Sequence, residues 1–422
     1  MDYRRRLIDD VLDEALPDLA AIALEGAKGV GKTATASQRA TTVLTLTEPR
    51  TRQSVAGNYD LVAQVAPPVF IDEWQLEPQV WDRVRQAVDD GAEGGRFLLA
   101  GSAGIPPGTR IHSGAGRIIR LTMRPMALSE RGIEQPTVSL RQLLAGDALI
   151  GGSTPMTVRE YAEEILRSGF PGIRDLPTAN RDRQIDGYLA RILDVDLPEN
   201  GIKVRRPATL RAWLKAYAAA TATSADYTKI LDAATPGEAE KPVRATVDVY
   251  REHLLRLFML DPLEAWIPSF APLKRLTFSP KHHLVDPALA ARLVGVGVDG
   301  LLLGEGDRVS AATSTWLGAL FESLAVQSIR VYAESMGASV GHLRTKSGDR
   351  EVDIVVETND RRCVGFEVKL ADTVSDNDVK HLNWLSEQLG PRLSDRVVLN
   401  TGPYAYRRPD GVAVVPLAIL GP

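Results

Sequence analysis

Short apolar runs alternate with amphipathic stretches over the first 150 residues. Ala20–Leu24, Val43–Leu46, Pro68–Ile71, Phe97–Ala100 and Ile118–Leu121 are mostly apolar and bounded by Gly, Pro or charged segments. They are too short for buried helices and read as strands covered on both faces. Stretches such as Val80–Val88 between them carry helical spacing. Strand and helix in alternation predict an α/β domain built on a doubly wound parallel sheet.

The pattern then changes. Residues 150–200 are helical, broken by Gly169-Phe170-Pro171-Gly172. Thr209–Thr221 and Tyr227–Ala234 read as two short helices. A third starts near Pro242, with Val243, Val247, Tyr250, Leu254 and Leu257 on one face. Asp261–Asp286 is extended, with room for a wing around Pro272-Leu273-Lys274-Arg275. Three helices and a wing are the layout of a winged helix, whose third helix enters the major groove of DNA. A Gly-rich stretch at 295–310 precedes a long helix, alternating strands and a helix over Asp376–Leu389. Four parts are expected: 1–150, a helical lid at 151–202, a winged-helix-like module at 203–295, and an α/β domain at 310–422.

Composition adds limits. The 422 residues are 44% hydrophobic and 25% charged with a net charge of −4, so any DNA contact must come from a local patch. Lys203, Arg205, Arg206, Arg211 and Lys215 form one acid-free basic stretch, and Lys274, Arg275 and Lys281 another. Such clusters suit phosphate contacts, or they are simply a solvated face of a module packed on its neighbours. Cys363 is the only cysteine and reads as a packed small residue. His282 and His283 are adjacent, face opposite ways on a strand and make a poor metal pair. No signal-peptide core or apolar run of the ~18–20 residues that span a bilayer is present, so no membrane contact and a cytoplasmic location are expected.

The sharpest chemistry is Gly26-Ala27-Lys28-Gly29-Val30-Gly31-Lys32-Thr33, which fits G-x-x-x-x-G-K-[ST] at every fixed position between a strand and a helix. Backbone N–H groups from Gly26 through Ala34 would wrap the phosphates of ATP, Lys32 would reach the β- and γ-phosphates, and Thr33 would ligate Mg²⁺. Pro68–Ile71 ends in Asp72-Glu73 at the carboxyl edge of the sheet, where ligands bind. Asp72 would hold Mg²⁺ through water and Glu73 would polarise the attacking water, which points to a hydrolase rather than a kinase. No Asn-Lys-x-Asp motif for guanine is present. Ser102, at the end of Arg96–Ser102, would sense the γ-phosphate, and Arg117 would serve as an arginine finger on a neighbouring copy in a homo-oligomer.

With the Leu99-Ala100-Gly101-Ser102 strand end and the Met123-Arg124-Pro125-Met126 segment, these motifs resemble prokaryotic AAA-superfamily ATPases. The chain is similar to the group that carries a C-terminal domain of uncharacterised function; Ser168-Gly169-Phe170-Pro171 and Lys281-His282-His283-Leu284-Val285-Asp286-Pro287 match that group's patterns. The resemblance implies ATPase activity. It departs from the family in lacking a clear second sensor arginine, with Arg167 and Arg174 nearby.

Toward the C-terminus, Glu351–Val356 and Val364–Lys369 read as strands around a turn at Thr358–Arg361. A register symmetric about Asp360 would set Asp353 across from Glu367 at roughly 4.5–5.5 Å between Cβ atoms, a repulsion that a divalent cation would relieve. Lys369 would share the face of Glu367. The spacing D-x₁₃-E-x-K, with Glu322 on a helix over Ala319–Val326, resembles the PD-(D/E)XK nuclease core. That resemblance implies Mg²⁺ held by Asp353, Glu367 and Glu322, with Lys369 placing the attacking water. Two accounts stay open: an ATP-driven enzyme acting on DNA, and an ATP-regulated switch or scaffold whose nuclease-like fold cuts nothing.

Overall fold

A computed structural model describes residues 3–101, 114–199, 201, 204, 206–235, 244–268, 276, 279–304, 315–346 and 348–422. Ser102, Lys203, Arg205, Val243 and the segment Pro272-Leu273-Lys274-Arg275 lie outside them.

Each of the five expected N-terminal strands is present, shifted by about one residue. They are β1 (Ala21–Glu25), β2 (Thr42–Thr45), β3 (Val69–Asp72), β4 (Phe97–Gly101) and β5 (Ile119–Thr122), all parallel in the order β2-β3-β4-β1-β5. β3 and β4 are buried along their whole length and β1 along all but its last residue, as continuous apolar runs require when helices cover both faces. The edge strands β2 and β5 are only partly buried, which matches their polar residues. The helix expected at Val80–Val88 is Gln79–Asp89 and sets Val80, Trp81, Val84 and Ala87 into the core. The order places β1 and β3 on either side of β4, so the loops after β1 and β3 open on the same edge of the sheet.

The next 150 residues are mainly helical and pack into one core with the C-terminal domain. Pro207–Ala219, Tyr227–Ala234 and Arg244–Arg256 are the three expected helices, and Val247, Tyr250, Leu254 and Leu257 are buried along the predicted face. The two-residue β6 (Val138–Ser139) lies between the first sheet and this region. The helix Trp316–Glu334 is buried along most of its length, and a mixed sheet follows it. Its strands are β7 (Ser339–Arg344), β8 (Glu351–Glu357), β9 (Cys363–Val368), β10 (Leu393–Asn400), β11 (Tyr406–Arg407) and β12 (Ala413–Pro416), in the order β11-β12-β10-β9-β8-β7. β13 (Leu420–Gly421) returns to pair with β6. The helix Asp376–Leu389 matches its expected bounds. Among the described residues, no helix is long and apolar enough to cross a membrane.

Residues quoted for the family resemblance join the parts. Arg124 pairs with Asp261 at 2.7 Å and with Glu334, while Met126 N–H donates to Gly169 O at 2.8 Å. A Cβ on Gly169 would sit 2.8 Å from the Met126 carbonyl oxygen. Asp286 caps the helix Pro287–Val294 through Ala288 N and also accepts from Gly169 N at 2.7 Å. Buried Arg131 donates to Met126 O, to Glu164 O and to Gln327 Oε1.

Candidate functional site

The loop after β1 folds because three of its residues have no side chain. Gly26, Gly29 and Gly31 take φ of 148°, 80° and 111°. At Gly26 the need is doubled, since a Cβ there would lie 2.2 Å from Met123 O. The loop runs straight into the helix Lys32–Ser37, whose first N–H groups add partial positive charge. Ala27 and Val30 are buried, and Val30 O accepts from Arg6 at 3.1 Å, which fixes the loop from behind.

Lys32 is 6% exposed and donates to two loop carbonyls, Gly26 O at 2.7 Å and Ala27 O at 2.9 Å. Among the described residues, no carboxylate is in contact with it to balance its charge. Burial therefore pushes its pKa down to about 8, against the pull of the more distant Glu73 and Asp72. Thr33 Oγ1 donates to both oxygens of Asp72, at 3.1 and 3.2 Å. Asp72 ends β3 and is 8% exposed, and burial raises its pKa. Glu73 follows in a left-handed conformation, φ 54° and ψ 44°, which turns the chain sharply into the turn Trp74–Leu76. Gln75 Nε2 hydrogen-bonds to Glu73.

Lys28, Gly29, Gly31, Lys32, Thr33, Ala34 and Glu73 line one cleft of about 690 Å³. Its far wall comes from the next part of the chain: Pro171, Gly172, Arg191 and Glu199. Sequence reasoning missed two residues here. Lys28 of the loop pairs at 2.7 Å with Asp196, which is 2% exposed and closes a π-helical turn, Ile192–Asp196. Arg191, just before that turn, sits 3.6 Å from the same carboxylate and lines the cleft. Arg167 and Arg174 do neither: both pair with Glu164. A π-turn is a rare feature that concentrates at functional positions; a lone Arg-Ile-Leu-Asp-Val-Asp stretch carries no signal of it.

Arg117 stands apart. It precedes β5, which runs parallel to β1 with Ile22 beside Ile119, so it lies at the opposite end of the sheet from Gly26. There it pairs with Asp89 at 2.8 Å.

Comparison with known families decides the first domain: residues 19–131 match the AAA domain family. This is an AAA-type P-loop domain. Residues 158–299 and 317–420 match two domains of unknown function, DUF8612 and DUF4143. The chain aligns at 27% identity over 312 residues with uncharacterised proteins of Mycobacterium bovis and Mycobacterium tuberculosis. The match covers 73% of this chain but only 59% of those proteins. A solved structure, the Walker-type ATPase of Pyrococcus abyssi, aligns over 69% of this chain and 96% of its own, with 16% identity and a TM-score of 0.42.

In the DUF4143 region the β8–β9 ladder runs from Glu357 beside Cys363 to Ile354 beside Phe366, symmetric about Asp360 as expected. It ends one step short of Asp353 and Glu367, and Val368 N–H donates to Asp353 Oδ2 at 2.9 Å. The expected ligand set of Glu322, Asp353 and Glu367 requires correction. Among the described residues, no group of three or more His, Cys, Asp or Glu is arranged to hold a metal ion.

Lys281, 2% exposed, places its ammonium 2.9 Å from Glu322, 2.9 Å from Glu351 and 2.8 Å from Asp353. Glu367 pairs with Lys369 at 3.0 Å. The charge repulsion is met by lysines. Burial still raises the Glu322 and Glu367 carboxyls, whereas Lys281 and Lys369 hold Asp353 low against its burial. Lys281 is thus no surface cation, and Arg211 of the other basic stretch pairs with Asp194 at 2.6 Å. His282 Nε2 donates to Ala225 O, and His283 Nδ1 hydrogen-bonds to Ser323 Oγ, a different partner on a different element. Cys363 is buried, which pushes its thiol up to about 12.

Proposed function

We propose that the chain binds ATP at the P-loop and hydrolyses it. The observation that carries this reading is one cleft lined by the buried Lys32 and by Thr33, whose hydroxyl is held by Asp72. Lys32 exchanges two loop carbonyls for phosphate oxygens, which restores the full charge that burial disfavours. Thr33 and Asp72 would hold Mg²⁺, which when bound neutralises the phosphates. Glu73, fixed by the left-handed turn at the strand end, orients the attacking water. Ser102 is proposed as the γ-phosphate sensor, and Arg117 as a finger toward a second copy.

The test is calorimetry and turnover on three proteins. Lys32→Ala should lose nucleotide binding by 100-fold or more, on the order of 3 kcal/mol. Glu73→Gln should bind ATP normally and lose roughly 100-fold in turnover. Full turnover in Glu73→Gln would remove that residue from the mechanism.

For the C-terminal half, the scaffold reading is favoured over the DNA-cutting one by a single feature: an internal lysine lies among the carboxylates that would otherwise take metal. On this reading the ATPase acts as a switch, and the modules after residue 150 serve contacts with partners rather than cleavage. Any DNA engagement through the winged-helix-like module would run through Lys215 and the segment 272–275. Incubation of plasmid and branched DNA with Mg²⁺ separates the two accounts. Cleavage by the wild type that Lys369→Ala abolishes would establish the enzyme and retire the scaffold.

A further inference from the structure

The helix Thr178–Arg191 ends at Arg191 in the nucleotide cleft, and its first two turns line a second cavity of about 780 Å³. The helix Pro287–Val294 and the residues after it form the facing wall. A volume of this order holds a small organic molecule. Much of the wall is apolar: Ile185, Ala288 and Ala291 are 2% exposed or less. Arg181 lines the same cavity at 8% exposure. Among the described residues, its guanidinium donates to one neutral group, Thr178 Oγ1 at 3.2 Å, its Nε has no partner, and no carboxylate lies in contact with it. The other charges around the cavity are matched or wet. Arg292 binds Asp182 at 3.4 Å and Asp186 at 2.5 Å, Arg167 binds Glu164 at 3.0 Å, and Glu163 and Asp175 are exposed. Backbone placement deepens the shortfall at Arg181. It stands in the first turn of its helix, where unpaired N–H groups already present partial positive charge. No residue of that turn is acidic, and the N-cap, Pro177, has no side-chain bond to offer. Burial lowers the Arg181 pKa against the pull of Asp182, yet arginine keeps its proton in proteins, so the deficit is left for an anion from outside.

We propose that this cavity binds a small organic acid, with one carboxylate seated on the Arg181 guanidinium and an apolar body against Ile185, Ala288 and Ala291. One unmatched guanidinium calls for one negative charge. A phosphate dianion would bring a second among the exposed acids Glu163 and Asp175. A planar carboxylate also matches the flat fork of a guanidinium. The site lies apart from the P-loop and is independent of the nucleotide reading.

The probes are octanoate, acetate, 1-octanol and inorganic phosphate, read by calorimetry and thermal unfolding of the nucleotide-free full-length chain. Octanoate should bind one site and raise the melting temperature. Acetate has the charge without the chain and 1-octanol the chain without the charge, so each should bind about ten-fold more weakly or worse. Arg181→Gln should cost octanoate about ten-fold in affinity, the loss of a hydrogen bond to a charged group. Thr178→Glu sets a carboxylate of the chain itself within reach of Arg181. It should melt no lower than wild type and should weaken octanoate by a similar factor. Octanoate that does not bind, or that binds both variants as it binds wild type, would overturn the proposal. Equal affinity for octanoate and 1-octanol would do the same, because the cavity would then read only the chain. Phosphate binding more tightly than octanoate would also overturn it, because the site would then read only charge. Should Arg181→Gln fail to fold, Thr178→Glu decides the matter with Arg181 in place.

Discussion

Two buried lysines divide the molecule between them. Lys32 and Lys281 are almost equally hidden, at 6% and 2% exposure, yet their surroundings are opposite. Among the described residues, Lys32 contacts only carbonyl oxygens, and burial drives it down to about 8. Lys281 has three carboxylates in contact, and they drive it well above the ordinary lysine value despite complete burial. A cation left short of counter-charge has an interaction still to make, and it suits an anion from outside. A cation fully matched within the chain has already made it. The first arrangement marks a binding site and the second a joint.

Removing each lysine gives the widest separation. Lys281→Ala should strand buried Asp353 and the partly buried Glu322 and Glu351, and destabilise the C-terminal part by about 3–5 kcal/mol, the cost of breaking a buried ion pair on one side. Thermal unfolding would show it directly. Lys32→Ala deletes a charge that folding disfavours, so its stability should change by less than about 1 kcal/mol while nucleotide binding is lost. If the two variants lost stability equally, the contrast between site and joint would be wrong.

How much of this was open to the sequence depends on how far apart the partners lie. The parallel strands were legible because burial on both faces leaves continuous apolar runs, as at Phe97–Gly101. The phosphate loop was legible because all its parts are contiguous, from Gly26 to Thr33. The hairpin register about Asp360 followed from period-2 alternation. Lys281 defeated the same reasoning. Its partners are 41 to 72 residues away, and nothing local distinguishes an inward lysine from the surface cations it was grouped with. The Lys28–Asp196 pair spans 168 residues and was equally hidden.

Titration sharpens the comparison further. Lys32 has its pKa lowered in the unliganded protein and should recover it beside phosphate, so ATP binding takes up a proton above pH 8. Affinity should be flat below that value and fall as pH rises past it, by about ten-fold between pH 7 and pH 9. Lys281, raised rather than lowered, adds nothing over this interval. Isothermal titration at several pH values, in buffers of different ionisation enthalpy, measures both the affinity and the proton uptake. An affinity that stays level to pH 9 would mean Lys32 keeps its full charge before nucleotide arrives.

The smallest effect tests whether the site reaches the helical segment beyond it. Lys28 lines the cleft yet spends its charge on Asp196, at the end of the π-helical turn, so phosphate and Asp196 compete for one ammonium. Asp196→Asn weakens the internal competitor. Because Lys28 is 32% exposed, solvent screens the pair, and its loss should be worth about 0.5–1 kcal/mol. Affinity for ATP and ADP should therefore rise about two- to five-fold. Hydrogen exchange over residues 190–199 should quicken less on nucleotide binding than in wild type, since the pair to be broken is already weak. Unchanged affinity together with unchanged exchange would show that Lys28 holds Asp196 in every nucleotide state, making the pair a second joint of the Lys281 kind rather than a link between loop and lid.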